Sequence, residues 1–213
     1  MKFCVIGLGR FGYEVATTLS DNGMEVLGID KDETIIASIR DLITQAVCLQ
    51  IKDESSLRSI GVDEMDTVIV AVGENFAESI LITALLKKRL NIPRVITRAV
   101  SALHKEILLL VGADRVVLPE QEIGKKLANN LSSPLLDTLK LSEHFYVSYV
   151  DTPERFIGKK IDEINFFKNF KVRCVGIKKG EEIHPADPHY TIVKADKLML
   201  AGDKDDINRI ARL

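Results

Sequence analysis

Three glycines and one aspartate carry the first recognisable chemistry in this chain. Gly7, Gly9 and Gly12 in "VIGLGRFG" have the spacing GxGxxG, and Asp30 ends the next apolar run, eighteen residues beyond Gly12. In a strand-turn-helix the first glycine permits a tight turn, the second lets backbone approach a pyrophosphate, and the third lets helix and strand pack closely. The free N–H groups at the helix start attract the anion. The spacing alone is a weak signal, and its place between an apolar run and a helical pattern makes it a nucleotide site. A carboxylate at Asp30 accepts hydrogen bonds from ribose hydroxyls and repels a 2′-phosphate, which disfavours NADP and leaves NAD, ATP, ADP and AMP. Lys31 beside it softens that exclusion. Arg10, between the second and third glycines, suits a terminal phosphate that its guanidinium can fork onto; a solvated surface arginine is the alternative reading.

The rest of the chain must position these groups. Short β-branched runs, "KFCVIG", "EVLGID", "AVCL", "TVIVAV", "RVITRA" and "RVVLP", alternate with helix-like stretches. Such alternation predicts an α/β fold, a Rossmann-like doubly wound parallel sheet with helices on both faces, complete by residue 118. Asn22-Gly23 stops the first helix, and the fourth runs from Asn75 to Leu90. A crossover helix and linker follow over 119–138, halted by Pro134. Over 139–213 the pattern changes to three alternating strands, "HFYVSYVDT", "KVRCVGIKKG" and "KLMLAGD", and a closing helix, which predicts a small α+β C-terminal domain.

Composition narrows the function classes. A formal charge of -2 offers no basic surplus for a phosphate backbone, so nucleic acid is excluded as a partner. Cys4, Cys48 and Cys174 are odd in number and far apart, and Cys4 and Cys48 sit in apolar runs where a buried thiol is expected, so the chain reads as reduced and cytoplasmic. No apolar run approaches the roughly 20 residues of a membrane helix, and the start reads as a strand-turn rather than a leader. Any membrane role is expected to run through a partner, without direct insertion.

Enzymatic readings find little support. A dehydrogenase needs a proton donor or acceptor beside the nicotinamide. His104 is expected on a helix among aliphatics, His144 before a strand, and His184 and His189 in a Pro-rich turn. No metal-ligand spacing, nucleophile elbow or Walker lysine appears.

Beyond the glycines, "DESSLRSIGVDEMDTVIVAVGEN", "ESILITALLKKRLNIPRVITRA", "LLLVGADRVVLPEQEIGKKLA", "FIGKKIDEINFF" and "VRCVGIKKGEEIHPADP" make the chain resemble the RCK (KTN) regulators of bacterial potassium transport, above all the regulatory subunits of Ktr uptake systems. The resemblance covers nearly the whole chain. It implies a regulator and not an enzyme: homodimers assembling into a ring, attached to a membrane potassium-channel subunit at the inner face of the cell membrane, with ATP or ADP in the first domain. By position it implies that Gly7, Gly9, Arg10, Phe11 and Gly12 hold the phosphates and Asp30 the ribose. Lys31, Ala71 and Asn75 belong to the same candidate set, and Arg98 approaches the phosphates from the fifth strand. Glu120 corresponds to a glutamate that reaches the neighbouring subunit's terminal phosphate, with a divalent cation or an arginine mediating; a helix-start residue favoured by the macrodipole is the alternative. One departure stands out, since relatives carry G-D-A-T after the third strand and this chain has Leu49-Gln50-Ile51-Lys52, leaving Gln50 to make the local contacts. Some similar proteins bind cyclic di-AMP in the small domain, and Phe156, Ile157, Lys168, Asn169, His184 and Pro185 lie in the corresponding segments, each also readable as a core or turn residue. An NAD(H)-sensing regulator of the Trk type shares the fold and the logic of Asp30, and a small NAD-dependent oxidoreductase is the remaining alternative.

Overall fold

In the first part of the chain, strands that are apolar on both faces can be buried only by helices on both sides. The computed structural model describes residues 1–73, 75–132 and 136–213 and resolves this part into alternating elements. They are β1 (Lys2–Ile6), α1 (Arg10–Asp21), β2 (Glu25–Asp30), α2 (Glu33–Ile39), β3 (Gln45–Cys48), α3 (Glu54–Arg58), β4 (Thr67–Val70), α4 (Phe76–Lys88), β5 (Arg94–Arg98), α5 (Ala102–Val111), β6 (Arg115–Val117) and α6 (Pro119–Ser132). The six strands form one parallel sheet in the order β3-β2-β1-β4-β5-β6. The predicted doubly wound fold is therefore present. Alternate residues feed opposite core layers: Cys4, Ile6, Val68 and Val70 pack with Leu57, Ile82 and Leu86, while Val5 and Ile69 pack with Ala16, Ile39 and Ile43.

Local chemistry sets the helix ends. Asp32, Asp53, Asn75 and Ser101 each accept a backbone N–H of the helix that follows, the contact worth about 1 kcal/mol per cap. Gly23 and Gly112 take left-handed φ values of 77° and 119° after α1 and α5. Asp114 ties three elements together: its carboxylate accepts the Val95 N–H at 2.6 Å and Lys87 Nζ at 3.0 Å. Burial alone works to raise this carboxyl's pKa, but the Val95 N–H and Lys87 outweigh it and hold it below the usual range.

A second compact unit begins at Glu122, within α6. It contains β7 (Leu136–Lys140), β8 (Tyr146–Asp151), α7 (Ile161–Ile164), α8 (Phe166–Phe170), β9 (Arg173–Lys179), β10 (Glu182–Pro185), β11 (Lys197–Gly202) and α9 (Lys204–Ala211). Its antiparallel sheet runs β10-β9-β11-β8-β7. Val150, Ile177, Leu198 and Leu200 face a core of Phe156, Phe166, Phe170, Ile207 and Ile210.

Some expectations need correcting. The second sheet has five strands rather than three. β7 crosses the boundary expected between linker and second domain at 138/139, and β10, all of whose residues are exposed, lacks the alternation that marks a half-buried strand. His184 accordingly lies on β10 and not in a turn. Cys4 is buried, and burial pushes its thiol pKa far up, but Cys48 is exposed, because the last residue of β3 leaves the core. The stop expected at Pro134 lies outside the described residues.

Candidate functional site

The doubly wound order leaves a crevice where neighbouring strands exit to opposite sides, at the carboxyl ends of β1 and β4. A cleft of about 910 Å³ opens there, lined among others by Gly7, Gly9, Arg10, Phe11, Asp30, Lys31, Ala71, Asn75, Arg98 and Glu120. Ten of the twelve predicted residues thus line one concavity.

The glycine turn is built tightly. Gly7 has φ 88°, and a Cβ there would lie 2.9 Å from the Val72 nitrogen. Gly12 does not line the cleft. A Cβ on it would sit 1.9 Å from the Gly7 carbonyl oxygen, so this glycine lets α1 start directly against the turn. Gly9 differs from both, with nothing within 4 Å of an added Cβ, and it caps the start of α1 facing open space. That arrangement leaves room for a phosphate to approach the first amides of a twelve-residue helix.

Asp30 locks the turn to the second strand. Its carboxylate accepts the Leu8 N–H at 2.6 Å and the Asp32 N–H at 2.9 Å. An ionised carboxylate has about four lone-pair sites, so two acceptor positions are left for ribose hydroxyls. Arg98, the last residue of β5, also lines the cleft; it donates from Nη2 to Glu120 Oε1 and stands 6.0 Å from the Phe11 ring centroid. Its Nε is buried and has no hydrogen-bond partner among the described residues. A buried unmet donor costs about 1–3 kcal/mol. Glu120 accepts its own backbone N–H and then the Arg98 guanidinium, and both hold its carboxyl below the usual range.

Several predicted roles shift in detail. Gln50 is exposed and stays out of the lining, while its neighbours Leu49 and Ile51 line the cleft. Asn75 lines the cleft and also caps α4 by accepting the Glu78 N–H at 3.1 Å. Glu120 pairs with Arg98 of its own chain. Among the described residues no group of three or more His, Cys, Asp or Glu side chains could hold a metal ion. In the second unit Phe156 is buried in the core, and Asn169 donates to the Ile164 carbonyl at 2.7 Å.

Sequence reasoning missed Gly73, Glu78 and Ile82, which also line the cleft. Gly73 makes room for Arg98: a Cβ there would lie 2.2 Å from Nη1. The signal was present as a glycine just past the apolar run "TVIVAV". His104 is fully buried, as a helix residue among aliphatics should be. Its Nδ1 accepts the Val100 N–H, its Nε2 bonds Ser79 Oγ at 2.8 Å, and its ring lies 4.1 Å from that of Phe76. Both ring nitrogens are committed to structure, which leaves no free one for acid–base chemistry.

Comparison with known proteins converges on one family. The model described as "TrkA-N domain" matches residues 3–119, and that described as "TrkA-C domain" matches residues 146–213. The chain is 33% identical to Ktr system potassium uptake protein C of Bacillus subtilis, covering 99% of this chain and 96% of that protein. It is 34% identical to Ktr system potassium uptake protein A of the same organism, covering 98% and 94%. Among solved structures, the GsuK RCK domain superposes with a TM-score of 0.70 at 14% identity, across 99% of this chain and 47% of that one. The same fold appears in structures described as "GsuK channel bound to NAD", with TM-score 0.58, 22% identity and coverage of 99% and 38%, and "GsuK bound to ADP", with 0.54, 25%, 61% and 33%.

Proposed function

The chain belongs to the RCK (KTN) family of potassium-transport regulators, with TrkA-N and TrkA-C domains, and from that premise we propose that it is a non-enzymatic sensor whose first unit binds ATP or ADP and whose state is passed to a membrane potassium-channel subunit. One observation carries the nucleotide reading: a single cleft is lined by an open glycine turn, by two arginines, Arg10 and Arg98, and by the Asp30 carboxylate. The arginines suit the charge of a phosphate tail, and the carboxylate suits an unmodified ribose. The Ktr names of the relatives support the potassium partner, and the ring of dimers at the inner face of the membrane is what the family resemblance implies. Among the described residues no helix is long and apolar enough to cross a membrane.

A ligand shifts a conformational equilibrium only by its difference in affinity for the two shapes. A terminal phosphate that engages Arg10, with Glu120 and a divalent cation at the dimer seam, supplies such a difference between ATP and ADP. Calorimetric titration of the full chain tests the reading: Arg10→Ala lowers ATP affinity more than ADP affinity, and equal losses sink the terminal-phosphate role. The second reading is an NAD(H) sensor, favoured by Asp30 and by the NAD-bound neighbour. Competition among ATP, ADP, AMP and NADH decides between them, and a preference for NADH overturns the first.

A further inference from the structure

Arg98 and Glu120 form an asymmetric pair. The arginine side chain is held on several sides: Nη1 lies over Gly73 in space that only a glycine leaves, and the guanidinium faces the Phe11 ring. It is 21% exposed. Glu120 is 68% exposed, so its carboxylate is already largely in water. It is the second residue of α6, and its carboxylate also accepts its own backbone N–H. Both residues line the cleft together with the glycine turn.

A carboxylate and a phosphate compete for the same guanidinium donors, because both present paired anionic oxygens in matching geometry. We propose that Glu120 is a displaceable stand-in for a nucleotide phosphate on Arg98, so that phosphate binding in the cleft is exchanged against the anchoring of the α6 start. The proposal rests on the nucleotide reading given above. On displacement, Arg98 keeps an anionic partner, while Glu120 loses its tie to β5 at the point where the chain leaves the first compact unit, which ends at Gln121. The released carboxylate is then available to other cationic groups. The exchange also gives the cleft selectivity: a nucleoside without phosphate has nothing to offer Arg98 and leaves the pair intact.

The test uses the full chain in a buffer containing a metal chelator, which removes any cation-mediated contact of Glu120 with phosphate. ADP and adenosine are titrated calorimetrically into the wild type, Glu120→Gln, Arg98→Gln and the double variant. Glu120→Gln removes the competitor, so ADP binds about two- to fivefold more tightly, the range of a partly exposed ion pair, while adenosine affinity stays unchanged. In the Arg98→Gln background, the Glu120→Gln step has no effect on ADP. Amide hydrogen exchange over residues 119–126 rises when ADP is added to the wild type and is already raised in Glu120→Gln. Unchanged or weaker ADP binding by Glu120→Gln, or unchanged exchange over 119–126 on adding ADP, overturns the exchange while wild-type ADP binding upholds the nucleotide reading. Failure of the wild type to bind ADP, ATP or NADH overturns both.

Discussion

The two sheets of this molecule solve burial in opposite ways. In the first unit, β4 is buried at every residue, and the parallel strands all point the same way. Polar groups are thereby pushed to one end of the sheet, and the crossing of helices to both faces opens a large cleft at that end. In the second unit, alternate residues of β8 and β11 face one apolar layer, and a hollow of about 150 Å³ opens beside Phe167 and Arg173. A parallel, two-faced sheet concentrates its chemistry at one edge, whereas a one-faced antiparallel sheet spends its sequence on packing. The first unit accordingly holds the candidate site.

That contrast can be broken by substitution. The largest effect is expected from Phe156→Ala, which empties the centre of the aromatic group formed with Phe166 and Phe170 at ring separations of 5.5 and 5.7 Å. It should destabilise by about 3–5 kcal/mol in denaturant unfolding. Nucleotide affinity at a temperature where the first unit stays folded should not change; a loss there would show that the second unit also shapes the cleft.

Gly12→Ala should act in the reverse sense. The added methyl meets the Gly7 carbonyl, and overpacking of this kind costs about 1–3 kcal/mol or more. Calorimetric ADP binding should fall with stability, because the same turn cradles the phosphate. Asp114→Ala comes next: it leaves the Val95 N–H without its acceptor and should cost about 1–3 kcal/mol with the cleft intact. Unaltered stability would remove Asp114 as the tie between α4, β5 and β6.

The smallest effect concerns pH. Burial lowers the pKa of His104, so below the ordinary value of 6.5 the unfolded chain takes up a proton that the folded chain resists. Stability contributed by the neutral ring is therefore full above that value and is lost as pH falls through it toward the depressed folded pKa, by at most about 1.4 kcal/mol per pH unit. His104→Gln should flatten this slope in thermal melts between pH 7 and 5. An unchanged slope would assign it to other groups.

The two sheets also differ in how far they could be read from sequence. The glycine fingerprint, the apolar runs and the caps were enough for the parallel fold, because each signal is local and repeated in every strand-helix unit. β7 and β10 escaped because edge strands are defined by a pairing partner more than by their own pattern, and β10 even carries Pro185, tolerated at an edge. Within the site, Arg10 and Asp30 were readable from their places at element ends, and Arg98 from the family resemblance. The bond between Arg98 and Glu120 was not, since it joins residues twenty-two positions apart through side-chain geometry alone. Gln50 illustrates the converse, since its polar chemistry suggested a place in the site, while its side chain is exposed and outside the cleft lining.

Gly9 and Gly12 are the same residue type three positions apart, yet one borders emptiness and the other a carbonyl. A side chain added at Gly9 should obstruct the ligand while leaving the fold undisturbed, which yields a subunit that is deaf but sound. Blended in known proportions with unaltered copies, such subunits would turn an assembly into a counting device, reporting how many listening members are needed before a channel responds.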